Sequence, residues 1–287
     1  MLQKCFKKGN AMKPKKIWAM YFSPTNGTKK ITTFIARNIA KKMGAPVELY
    51  NFTLPQARER RPEFAPNDVV VFGMPTYAGR VPNLFVPYVK SLFGNFALCI
   101  PVVSYGARAF DDSLIELRDL LEAGNFRTIG GAALVSLHAF STTLGAGRPS
   151  DDDWEKMRLF SQKMAAKIAL NDFEFFSHSP VNVAGSFPYR KHMQPKNGAG
   201  EPIKFLPIKT VTSDKCTDCK ICAKVCPLGS IDYENVKTTP GKCIKCNACV
   251  KSCPQGAKSF TNPDFIFHKE ELEELYTHAP RSPAFFL

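Results

Sequence analysis

Apolar positions change period along this chain, and the changes mark out its elements. Five short runs, at residues 16–22, 47–52, 68–74, 97–104 and 130–138, are nearly continuously apolar, the pattern of strands buried on both faces of a sheet. Between them the period lengthens to that of a helix. Residues 28–43 place Ile31, Phe34, Ile35 and Ile39 on one face and stop at Gly44; residues 112–122 align Leu114, Leu117, Leu120 and Leu121 and stop near Gly124. Residues 152–170 do the same with Trp154, Met157, Phe160, Met164 and Ile168, so amphipathic helices alternate with the strands. This alternation predicts an α/β fold over residues 15–170, a doubly wound, five-stranded parallel sheet. Such a sheet takes its ligand beyond the carboxyl ends of its strands, where the strand order switches.

After Leu170 the periodicity fades. Residues 171–209 carry Pro180, Pro188, Pro195, Pro202 and Pro207 and read as an irregular connector. Links this long are functional or disordered, and the apolar stretch from Val181 to Tyr189 favours packing across an interface. Residues 210–262 form a second unit, and residues 263–287 add a short helix at 269–277 and a tail. The terminal Phe285-Phe286-Leu287 is expected to dock on a domain surface, because three exposed apolar residues are costly in water. Residues 1–14, with Lys4, Lys7, Lys8 and Lys13, read as a basic arm. The apolar stretch after it, Ile17 to Phe22, is too short for the core of a signal peptide.

Cysteine spacing supplies the chemistry of the second unit. Eight of the ten cysteines fall in two copies of one pattern, Cys216-x-x-Cys219-x-x-Cys222-x-x-x-Cys226-Pro227 and Cys243-x-x-Cys246-x-x-Cys249-x-x-x-Cys253-Pro254. A [4Fe–4S] cubane needs one thiolate at each of four iron corners, and three cysteines at i, i+3 and i+6 can wrap three of them. The proline turns the chain away, and in two-cluster proteins the fourth cysteine of each run ligates the other cluster. This assigns Cys216, Cys219, Cys222 and Cys253 to one cluster, and Cys243, Cys246, Cys249 and Cys226 to the other. Structural zinc usually takes two short hooks separated by a long loop, and a disulfide framework suits small secreted chains; neither matches this spacing. Cys5 and Cys99 read as an arm thiol and a buried strand residue. The runs repeat as units, with Lys215 matching Lys242, Gly229 matching Gly256 and Tyr233 matching Phe260. The segment 210–262 resembles the bacterial-type two-cluster ferredoxins, a small α+β domain.

Three loops sit at the predicted carboxyl ends of the strands. Ser23-Pro24-Thr25-Asn26-Gly27-Thr28 joins the first strand to the first helix, and its N–H groups and hydroxyls can surround a phosphate; it also reads as an ordinary helix cap. The second loop includes Pro75, Thr76, Tyr77, Ala78, Gly79 and Arg80, and the third Ser104, Tyr105, Gly106 and Arg108. Together these loops resemble a flavodoxin-type FMN domain. The resemblance implies that the first loop holds the ribityl phosphate and the other two flank the isoalloxazine, with Tyr77 and Tyr105 against the ring. Arg80 and Arg108 would then stabilise the reduced flavin's charge or stand at its rim, and His138 and Ser141 would lie on the cofactor edge. The usual phosphate loop reads Thr-Gly-x-Thr, whereas here Asn26 and Gly27 shift the glycine by one place; Asn tolerates left-handed backbone. Lys29 and Lys30 read as solvated helix surface.

The chain from about Lys16 onward is similar to the flavodoxin–ferredoxin fusion proteins of anaerobic bacteria and archaea. That resemblance implies an electron-transfer iron–sulfur flavoprotein with FMN and two [4Fe–4S] clusters, Phe187 and Tyr189 helping to bury them. An FMN-dependent reductase of a small acceptor, supplied by the clusters, is the alternative. No catalytic residue is assigned. The formal charge of +14 sits mainly in residues 1–170, yet no helix-turn-helix, finger or aromatic–basic repeat accompanies it to read nucleic acid. An acidic redox protein, such as a small ferredoxin, is the partner that this charge suits. No apolar run approaches the roughly 20 residues of a membrane span, so a cytoplasmic protein is expected; the oligomeric state stays open.

Overall fold

A computed structural model describes residues 13–170 and 179–287. Most of the basic arm, Cys5 and the first part of the connector lie outside the described residues. Five strands, β1 (Ile17–Tyr21), β2 (Val47–Asn51), β3 (Val69–Pro75), β4 (Leu98–Tyr105) and the pair β5 (Arg127–Thr128) and β6 (Gly131–Val135), pair in parallel in the order β2-β1-β3-β4-β6. β5 and β6 pair with successive parts of β4, Leu98↔Arg127 and then Tyr105↔Val135, so they are one strand interrupted at Ile129 and Gly130. The order reverses between β1 and β3, as in the flavodoxin-like version of the doubly wound fold.

Helices α1 (Gly27–Met43) and α4 (Asp151–Ala169) cover one face of the sheet, and α2 (Val86–Lys90) and α3 (Ser113–Ala123) the other. The first face buries Ile17, Ala19, Val69 and Val71 against Ile31, Ile35, Met157 and Phe160. The second buries Met20, Phe22, Val70 and Phe72 with Phe85, Leu114 and Leu117. Each such side chain contributes about 1.5–3 kcal/mol. Ser150 and Asp153 close a capping box that starts α4, and Asn26, at φ 66°, turns the chain into α1.

Three features depart from the sequence reading. β2 is half exposed, with Leu49 at 45%, because it forms an edge. The short helix α2 was hidden by Pro82 and Pro87, which interrupt any period. The tail does dock, and as a strand: β9 (Ala284–Phe286) pairs antiparallel with β6, Phe285 stacking on Phe160.

The cysteine-bearing segment contributes β7 (Val211–Thr212) paired with β8 (Lys258–Ser259), the one-turn helices α5 (Ile221–Lys224) and α6 (Ala248–Lys251), and α7 (Pro263–Tyr276). α7 begins six residues before the expected 269, at Pro263, and is capped by Asn262, whose side chain accepts from Phe265 N–H. Leu228, Ile244, Leu272 and Tyr276 pack against the α2/α3 face of the sheet. Among the described residues no helix is long and apolar enough to cross a membrane.

Candidate cofactor sites

The two cysteine runs fold as copies offset by 27 residues (243 − 216 = 27). The copies share their turns. Asp218 and Lys220 adopt positive φ in the first, Lys245 and Asn247 in the second, and Gly229 matches Gly256. They also share N–H donors to sulfur: Asp218 to Cys216 and Lys245 to Cys243, each at 3.4 Å, then Ser230 to Cys226 at 3.3 Å and Ala257 to Cys253 at 3.2 Å.

These turns gather the sulfurs around two cavities. Cys216, Cys219, Cys222 and Cys253 line one; Cys226, Cys243, Cys246 and Cys249 line the other. Each cavity takes three cysteines from one run and one from the other. Among the described residues no three His, Cys, Asp or Glu side chains converge as a single metal ion would require; tetrahedral zinc wants every sulfur about 2.3 Å from one point. A polynuclear cluster, with a separate iron at each thiolate, fits cysteines arranged around a cavity.

The cavities differ in exposure. Cys219 opens the first to solvent, whereas Cys246 is buried in the second. Burial pushes the Cys246 thiol well above its ordinary range and Cys249 up to about 11. Burial also raises Cys253, but the N–H groups of Ala257, Gln255, Lys258 and Gly256 more than offset it.

In the first strand-end loop, Ser23 Oγ accepts from Lys29 N–H at 2.9 Å and Thr28 Oγ1 pairs with Ser104 Oγ at 2.7 Å. Those hydroxyls are thereby tied up inside the protein. Thr25 is half-buried and Asn26 exposed, and Gly27 opens α1 where a Cβ would strike the Ser136 hydroxyl. The loop's capacity for phosphate lies in the Thr25 hydroxyl and in the backbone N–H groups at the helix start.

The second loop is a hairpin, with Tyr77 and Arg80 exchanging backbone hydrogen bonds of 2.9 and 3.0 Å. Ala78 and Gly79 both take positive φ at its tip, as a tight two-residue turn requires. Pro75 ends β3, and Thr76 Oγ1 pairs with Ser113 Oγ. Arg80 acts as a clasp. It grips Glu116 bidentately at 2.7 and 2.8 Å, donates to the Arg190 carbonyl and stacks over Tyr189.

In the third loop Arg108 is held by Asp111, so its charge is already paired. Tyr105 is the last residue of β4 and is buried against Phe110. Gly106 packs under His138, whose imidazole would clash with any Cβ there. His138 Nδ1 accepts from Phe140 N–H, and burial, with help from the nearby Lys251 and His268 charges, lowers its pKa to about 4.

Tyr77 is half-buried in the hairpin of the second loop, and desolvation, followed by the Cys246 and Cys243 thiolates, raises its pKa. Further contacts fix the halves together: Arg58 Nη2 to Pro227 O at 2.6 Å, Lys251 Nζ to His138 O at 2.7 Å, and Arg281 Nε to Ala107 O at 2.8 Å. The connector covers the second and third loops. Met193 N–H donates to Ala78 O, and buried Asp112 accepts from Ser186 and Arg190 N–H. Tyr189 packs there, and Phe187, 78% exposed, meets its ring edge-on. The missed residues, Asp112 and Glu116, were legible only as charges beside an otherwise apolar helix face.

A family model described as a 4Fe-4S dicluster domain matches residues 215–258. No curated protein matches the chain. Among solved structures, a flavodoxin from the Archaea is 14% identical, covering 53% of this chain and 98% of its own at a TM-score of 0.37. A Streptococcus pneumoniae flavodoxin is 17% identical over 53% of this chain and 98% of its own, TM-score 0.37. Rubredoxin oxygen:oxidoreductase from Desulfovibrio gigas is 17% identical over 58% of this chain but only 38% of its own, TM-score 0.40. At these scores the flavodoxin-like fold rests on the strand order itself.

Proposed function

We propose that this chain is a cytoplasmic electron-transfer iron–sulfur flavoprotein, with one FMN at the strand-end loops and a [4Fe–4S] cluster in each cysteine cavity. The observation that carries the reading is the pair of four-cysteine cavities, each taking three cysteines from one run and one from the other, tied to the strand-end loops by the Lys251 bond to the His138 carbonyl. Such clusters exchange single electrons and flavin one or two, so the set supplies conversion between one- and two-electron chemistry.

The residues divide the labour. Cys216, Cys219, Cys222 and Cys253 hold the outer cluster, and exposed Cys219 makes that cavity the port for a redox partner. Cys226, Cys243, Cys246 and Cys249 hold the inner one. The N–H groups at the start of α1 bind the phosphate, while the connector and the 136–141 loop exclude water from the ring. An acidic partner protein suits the positive net charge. The small-molecule reductase reading would need an open substrate face, and the connector covers the second and third loops.

Anaerobically purified protein tests the reading directly: about eight iron, about eight acid-labile sulfide and about one FMN per chain are expected. Stoichiometric zinc without sulfide would overturn the clusters, and an absence of bound flavin would overturn the FMN site.

A further inference from the structure

The duplication is broken at one buried position. Lys258 stands 27 residues after Ile231 (258 − 231 = 27), and both are buried, at 2% and 6% exposure. The aliphatic copy shows that packing at this position does not call for an ammonium. Lys258 lines the outer cavity with Cys216, Cys219, Cys222 and Cys253. Among the described residues its ammonium has one hydrogen bond, to the Val236 carbonyl at 2.5 Å. Burying an ammonium on a neutral carbonyl is strongly unfavourable unless opposite charge lies close. The cysteines supply that charge.

Resting on the two-cluster reading above, we infer that Lys258 is the counter-cation of the outer cluster, which raises its reduction potential. Reduction adds a negative charge to a cubane that its thiolates already make negative. A fixed positive charge buried in the wall of the outer cavity stabilises the electron added there, with little screening by salt. Neither cysteine motif contains this residue.

The test is a redox titration followed by electron paramagnetic resonance on the cluster-loaded full chain, with Lys258→Ile, Lys258→Met and Lys258→Arg. The Ile variant copies the residue that the other half already accommodates. It should retain parental iron and sulfide, while the ratio of reduced to oxidised cluster at a fixed ambient potential falls about tenfold. For a one-electron couple that is a shift of about 59 mV to lower potential. The Arg variant should stay within about threefold of the parent. Parental potentials in a fully loaded Ile variant would overturn the inference, as would an equal fall in the Arg variant. If Ile and Met both lose iron while Arg keeps it, the counter-charge stands; loss from all three counts against it. A parent chain without iron and sulfide would instead overturn the two-cluster reading.

Discussion

Cys226 and Cys253 each follow three cysteines in sequence yet line the cavity formed by the opposite run. Cys226→Ala is therefore expected to leave about four of eight irons, the survivors being those held by Cys216, Cys219, Cys222 and Cys253. Iron analysis with cluster spectroscopy checks it, and loss of the outer cluster instead would show self-contained runs. His138 gives a second residue-level expectation. Its pKa is lowered in the folded chain to about 4 from 6.5, so between those values the unfolded chain binds the proton and the folded chain does not. Stability then falls as the pH drops through this window, by about 2 kcal/mol between pH 6.5 and 5. Urea unfolding of the parent and of His138→Phe should show a shallower decline in the variant. The roles of Arg80, Arg108 and Tyr105 were not legible beforehand for a plain reason. Arg80 pairs with Glu116, on a helix 36 residues away, and no local pattern in the chain records which helix face meets which loop.

At the level of elements, the strands were legible because burial on both faces leaves an almost uninterrupted apolar run, and α1 and α4 because each keeps one apolar stripe. The cysteine cavities were legible for a different reason, since ligand spacing is dictated by the cofactor and barely depends on the rest of the fold. β9 escaped, because three residues are too few to show a period. Its contribution is checkable. Truncation after Ala279 removes β9, the Phe285–Phe160 stack and the Arg281 bonds to the third loop. Two half-buried phenylalanines lost from the core edges should cost about 3 kcal/mol, read as a lower thermal midpoint. An unchanged midpoint would mean that the edge strand adds nothing.

For the molecule as a whole, charge and connection decide the behaviour. With a net charge of +14 in the polypeptide, reduction by an acidic ferredoxin should slow as salt rises, because the range of steering shrinks to about 8 Å at physiological ionic strength. A salt-independent rate would remove the acidic partner. The excursion that carries the cysteine cavities is anchored at both ends on neighbouring residues of the same sheet. Val181 N–H donates to Thr128 O at its start, and β9 pairs with Gly131–Ala133 at its finish. A domain on a single flexible linker must diffuse into place for every transfer, and its rate follows the friction of the solvent. Here both ends are moored on the sheet, and bonds between the halves, Arg58 to Pro227 O and Lys251 to His138 O, hold the body in place. Internal exchange between the inner cluster and the flavin should accordingly keep its rate in glycerol solutions that slow every encounter between separate molecules, and rapid mixing in graded viscosity would measure the difference.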